Sequence, residues 1–185
     1  MEPPTLLVSP TAEEEGTPLW RLCEVGDMAG VKAALGRGVE VNRRGPGGAT
    51  PLLLAVGGGH NDIAWLLLLH PEIDPNLQVG GRLFMRRFVA FWCPMCLWWL
   101  KAPQDCHGFT ALHLAASGDN AWAVAKLLTH PAMASANARD EEGATALMQA
   151  AMFGHVGCVR ALVEGRGVDL GVVDRQGRGL EEVAR

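Results

Sequence analysis

Apolar residues along this chain fall into short runs that restart on one phrase. The phrase is threonine, then proline or alanine, then leucine, and it begins at Thr17, Thr50, Thr110 and Thr145. Each threonine opens a first apolar run rich in leucine and alanine. A glycine-containing step follows, and then a second run with aliphatic residues at helical spacing. The second run closes eighteen positions after the threonine, on Leu35, Leu68, Leu128 and Val163. Such constancy marks a repeated supersecondary unit. It predicts paired short helices, each unstable alone in water and stabilised by stacking on its neighbours.

Each part of the phrase has a physical reason. A threonine hydroxyl accepts an orphan backbone N–H at a helix start, and proline is tolerated in the first turn. Small alanines let helices approach closely. The Gly26-Asp27, Gly59-His60 and Gly154-His155 steps end the first helix and turn the chain into the second. The third unit departs here, with Asp119 where glycine is expected and Gly118 one place early. His70-Pro71 and His130-Pro131 end the second helices, where histidine suits the helix C-terminus and proline blocks extension.

Between units runs a second signature, Asn or Gly, then Asp or Gly, then Gly-x-Thr, as in Asn42 to Thr50 and Asn137 to Thr145. It returns as Gly171 to Asp174 and Gly177 to Gly179. Glycine supplies positive φ, and Asp or Asn caps the turn. Taken together, Thr-Pro/Ala-Leu, the Gly-His step and this connector resemble the ankyrin repeat. The resemblance covers residues 17–78 and 105–185. It implies an all-α fold, an ankyrin-repeat α-solenoid of helix-turn-helix units joined by hairpin fingers. In register, residues 1–16 are expected to form a flexible, acidic, proline-bearing tail, 17–49 a worn first repeat and 50–78 the second. Residues 105–139 form the third repeat, 140–173 the fourth and 174–185 a partial fifth. With no complete unit after it, the fourth repeat is expected to turn Val159, Leu162 and Val163 to solvent or to a partial helix, as in a truncated form of a longer array.

One finger is broken. Asn76 and Thr110 stand 34 residues apart, where the unbroken fingers have eight. Removing Val79 to Gln104, 26 residues, joins Asn76-Leu77-Gln78 to Asp105-Cys106-His107-Gly108-Phe109-Thr110 and restores the signature. The insert holds Phe84, Phe88, Phe91, Trp92, Trp98 and Trp99. Its charges are Arg82, Arg86, Arg87 and Lys101, so it carries +4 in a chain of −4, leaving −8 for the rest. Restored register suggests an in-frame insertion from alternative processing of the transcript.

Composition and motifs narrow the functional classes. Apolar residues are 49% and charged residues 19%, enough for a real core, and the acidic balance gives no basic field for nucleic acid. The first ten residues lack the basic head and apolar core of a secretory signal. The odd cysteine count suggests reduced thiols in the cytoplasm or nucleus. Cys93-Pro94-Met95-Cys96 lacks the βαβ context of a redox motif. Cys93, Cys96, Cys106 and His107 have zinc-ligand chemistry, but a single CxxC is weak and the last two fall on variable finger positions. No metal or other cofactor is expected. Phe88 to Leu100 is too short to span a bilayer, although it suits a membrane interface. No nucleophile–base pairing, phosphate loop or His-Glu-x-x-His stands in the sequence, so no enzyme activity and no small-molecule substrate is expected.

The resemblance also implies a protein partner bound at the finger tips and the concave face of the first helices. By position the contact candidates are Arg43, Arg44 and Ala49 on the first finger, and Cys106, His107 and Phe109 on the second. Glu141, Glu142 and Ala144 follow on the third, and Arg175 and Arg178 on the fourth. Phe109 with Met148, Met152 and Phe153 would make an apolar anchor on adjacent repeats. The expected role is an adaptor, scaffold or regulatory subunit. The alternative is a membrane-interface-associated or unstable splice form dominated by residues 79–104.

Overall fold

The computed structural model describes residues 16–79, 108–134, 136–165 and 167–183. Among these the chain forms helices only, in pairs. They are α1 (Leu19–Val25) and α2 (Met28–Gly36), α3 (Pro51–Gly57) and α4 (Asn61–Leu68), α5 (Ala111–Ser117) and α6 (Ala121–Thr129), α7 (Ala146–Met152) and α8 (Val156–Val163), then the short α9 (Leu180–Val183). The first helices stack on one another in the order α1, α3, α5, α7, α9, and the second helices in the order α2, α4, α6, α8. The fold is an all-α solenoid, two rows of helices deep.

Local chemistry sets the helix starts. Thr50 and Thr145 are extended, and their hydroxyls accept the N–H of Leu53 and Met148, each at 3.4 Å. Thr110 forms a capping box with His113. Thr17 does not cap: α1 begins at Leu19 behind Pro18, which has no hydroxyl to offer. On the second helices, Asp27 and Asn120 each accept an N–H three residues on, at 3.0 Å. Gly26, Gly59 and Gly154 have φ of 79°, 71° and 70° in the turns between paired helices, and Asp119 takes the same place at φ 52°.

The rows close over a continuous core. Leu52, Leu53, Leu112 and Val56 of the first helices are buried with Val31, Leu67, Val124, Leu127 and Leu162 of the second. Ala55, Ala115, Ala116 and Ala150 are buried where helices meet most closely. Leu162 therefore belongs inside, contrary to the expectation that it faces outward, because α8 turns it toward its own repeat. Val159 is half-buried, and Val163 and Val156 are exposed.

Histidines stitch one repeat to the one before it. His60 Nε2 donates to the Glu24 carbonyl at 3.4 Å, and His155 Nδ1 to that of Ala116 at 2.9 Å. His130 Nε2 donates to the Leu68 carbonyl at 3.0 Å, at the end of α4. These are structural hydrogen bonds, as the repeat pattern implies. Asparagines form a second ladder. Asn42, Asn76 and Asn137 donate from Nδ2 to the carbonyls of Glu72, Ala132 and Gly167, each at 2.7 Å. Their Oδ1 atoms accept the N–H of Asp74, Ala134 and Asp169 at 3.1, 2.9 and 2.7 Å.

Candidate partner-binding surface

The fingers project from the N-terminal ends of the first helices. In the third finger, the Asp140 carbonyl accepts the Gly143 N–H at 3.0 Å, closing a turn whose tip is Glu141-Glu142. Inside it, Asp140 Oδ1 accepts the N–H of Glu142 at 2.9 Å and of Ala144 at 2.8 Å, and Oδ2 accepts Gln149 Nε2 at 3.0 Å. The fourth finger repeats the device. Asp174 Oδ1 accepts the N–H of Gln176 and of Arg178, each at 2.9 Å. Burial alone would push the Asp174 carboxyl up. The Arg178 backbone N–H, the hydrogen bond and charge of its guanidinium, and the Gln176 N–H together hold it below its ordinary 3.8.

Adjacent fingers are tied side by side. The Arg175 N–H donates to the Glu142 carbonyl at 3.0 Å. Gly143 has φ 81°, which favours glycine, and a Cβ there would come within 3.1 Å of the Arg175 backbone nitrogen. Arg44 Nη1 donates to the carbonyls of Gly48 and Gln78, both at 2.6 Å, and Arg139 Nη1 to that of Val173 at 2.8 Å.

These bonds sort the expected contact residues. Glu141, Glu142 and Arg175 stand exposed at the tips, Arg43 is exposed two residues before the first finger's turn opens at Gly45, and Met152 is exposed at the C-terminal end of α7. Phe153 beside it is half-buried and stacked on His155, ring centroids 5.8 Å apart. Arg44 spends its guanidinium on backbone carbonyls, and Arg178 Nε pairs with Asp174 Oδ2 at 2.7 Å. Ala144 is half-buried, its N–H on Asp140 and its carbonyl facing His113 Nε2 at 3.2 Å.

Three candidates are corrected. Ala49, Phe109 and Met148 are 0%, 3% and 3% exposed, so none offers a side chain to a partner. Phe109 lies over the His113 ring, centroids 5.5 Å apart and planes 14° apart, inside its own repeat. Met148 sits in α7 where Leu53 and His113 sit in α3 and α5. The four-residue anchor therefore reduces to Met152 with part of Phe153. Cys106 and His107 lie outside the described residues, as do Cys93, Cys96 and residues 80–104 of the insert.

One exposed group escaped the sequence reading. Trp65 of α4 and Trp122 of α6 meet edge to face at 6.3 Å, and Lys126 Nζ lies 4.7 Å from the centre of the Trp65 ring. Both tryptophans stand on the outer helices at positions their helices turn away from the core, a signal visible only after helix phase is known. Among the described residues, no cluster of three or more His, Cys, Asp or Glu side chains is placed to hold a metal ion. No helix there is long and apolar enough to cross a membrane. The thiols of Cys23 and Cys158 are buried and free, pushed up to about 12 and about 11, first by burial, which silences them as nucleophiles.

A stacked helix-turn-helix array with fingers tied side by side is a repeat protein that presents an extended surface. Sequence models of the families described as "Ankyrin repeats (3 copies)" and "Ankyrin repeat" match residues 91–174 and 47–78. The chain belongs to the ankyrin repeat family, whose repeats are in general protein–protein interaction modules.

Proposed function

We propose that this chain is a non-enzymatic adaptor, scaffold or regulatory subunit. A protein partner lies across the finger tips and the exposed C-terminal ends of the first helices, and the compartment is the cytoplasm or nucleus. The observation that carries the reading is the fixed backbone beneath exposed tips. Asp140 and Asp174 spend their carboxylates on their own turns, while Glu141, Glu142 and Arg175 point outward. The backbone of such a frame loses little freedom on binding, so only side-chain ordering is left to offset, which is how a small contact set gains affinity.

Photo-cross-linking in cells tests it. A benzophenone amino acid replaces Glu142 or Met152 in one pair of variants, and Lys32 or Asp62 of the outer helices in another. Protein adducts from the first pair, abolished by charge reversal at Glu141 and Glu142 with Met152→Asp, are the expected result. Adducts confined to Lys32 and Asp62 would move the partner to the outer helices and sink the proposal.

A further inference from the structure

Second helices stack in a definite register. Counted from the threonine of each repeat, the residues eleven, fifteen and eighteen positions on face the repeat that follows. Asn61 Oδ1 accepts Asn120 Nδ2 at 2.6 Å, and a Cβ on Gly157 would meet that of Ala121 at 3.4 Å. Trp65 takes Trp122 and Lys126. Leu128 reaches the next loop, where a Cβ on Gly165 would lie 2.7 Å from its Cδ1. In the fourth repeat the same places hold Val156, Arg160 and Val163. All three are exposed, the valines by 69% and 49%. In the first row α9 packs on α7, but among the described residues no helix follows α8 in the second.

The connector shares this edge. Ahead of the ladder asparagines Val41 and Pro75 are buried and Ala136 is half-buried, whereas Leu170 in the same place is exposed. The polar ties stop here too. Gly171 stands where Asn42, Asn76 and Asn137 each reach the following repeat. Val173 stands where Arg44, Gln78 and Arg139 each donate to the backbone carbonyl of the matching residue one repeat on, at 2.6, 3.5 and 2.8 Å. The edge therefore keeps the apolar half of a stacking surface and lacks the side chains that set a following repeat in register. Such a surface suits an occupant that needs no ladder.

We propose that the edge formed by α8 and its connector docks a second copy of this chain about a twofold axis. Twofold contact needs a self-complementary patch. Arg160 and Glu164 lie one turn apart on α8 and are both exposed. With α8 antiparallel to its copy, Arg160 faces the partner's Glu164 and Glu164 the partner's Arg160. Val163 then lies between the two ion pairs, and Val156 and Leu170 extend the apolar contact on either side. One helix and one loop per copy make a small interface, so a dissociation constant on the order of 10 µM is expected.

Sedimentation equilibrium of the full chain between about 1 and 200 µM tests it. A monomer–dimer equilibrium is expected. Val156→Asp with Val163→Asp should weaken it at least roughly tenfold. The helical circular dichroism should not change, since both side chains are exposed. Arg160→Glu alone and Glu164→Arg alone should each weaken association, and the two together should restore it, because exchanging the signs preserves the pairing. If the valine variant does not fold, the charge exchange carries the test by itself. A chain that stays monomeric throughout would overturn the proposal, and so would association that these substitutions leave untouched. Failure of the double charge variant to recover association would overturn the antiparallel contact. Growth beyond a dimer would mean a head-to-tail contact and would overturn it as well. No finger-tip partner enters the measurement, so its outcome is separate from that of the binding proposal.

Discussion

His113 occupies a place that its repeat neighbours fill with Leu53 and Met148. The site accepts a polar ring because both nitrogens are used. Nδ1 accepts the Thr110 N–H at 3.3 Å and lies 2.9 Å from the Thr110 hydroxyl, while Nε2 donates to the Ala144 carbonyl. Burial pushes its pKa below the ordinary 6.5, against the Ala144 carbonyl and the charge of Asp140. Below pH 6.5 the unfolded chain binds a proton that the folded chain refuses, so stability falls as the medium is acidified and is unaffected well above that pH. His113→Gln keeps a capping-box residue without a titrating ring. Its urea midpoint should drop less than that of the parent between pH 7.5 and pH 5.5. An identical drop would assign the acid sensitivity elsewhere.

Asp119 is the single non-glycine residue with positive φ among those described. Its neighbours in the other repeats are Gly26, Gly59 and Gly154, so the sequence already marks the place as a glycine position. Left-handed backbone costs an L-residue roughly 1–2 kcal/mol, less for aspartate, and glycine returns part of the gain through a freer unfolded chain. Asp119→Gly should stabilise the array by about 0.5 kcal/mol. Thermal or urea unfolding that shows a loss would mean that the carboxylate, 3.9 Å from Cys158 Sγ, is holding the turn.

At the scale of elements, the helices hold because each repeat is tied to the next at both ends. Asn76→Ala removes two cross-repeat bonds, to Ala132 and Ala134, and leaves the backbone groups of these exposed residues to water. A loss of about 1 kcal/mol follows, with the urea m-value unchanged. A loss near zero would show that water replaces the amide without penalty. The asparagines, the threonine caps at Thr50, Thr110 and Thr145, and the Gly-His turns were all legible in the sequence, because each is a residue type demanded locally at fixed spacing. Their partners were not. Asn76 reaches the loop of the following repeat across 56 residues of chain, and no local pattern names a carbonyl at that distance. The same limit misplaced Val79, which spacing gives to the insert and whose N–H donates to the Phe109 carbonyl at 2.9 Å, within the second finger.

Among the described residues the molecule is two rows of helices in which each repeat contacts its neighbours, an order that runs in one dimension along the stack. The amino-acid sequence by itself determined the repeat period, the threonine-capped helix starts at Thr50, Thr110 and Thr145, and the ankyrin architecture. Those follow from local requirements: a hydroxyl at a helix start, a glycine in a left-handed turn, aliphatic residues at helical spacing. Only the tertiary structure decided which of the candidate residues are exposed. It buried Ala49, Phe109 and Met148, engaged Arg44 and Arg178, and left Arg43, Glu141, Glu142, Arg175 and Met152 outside. It also brought Trp65 against Trp122 on the outer row. Exposure in a stacked array depends on how the next repeat lies over a side chain, and that neighbour stands 30 or more residues away in the chain.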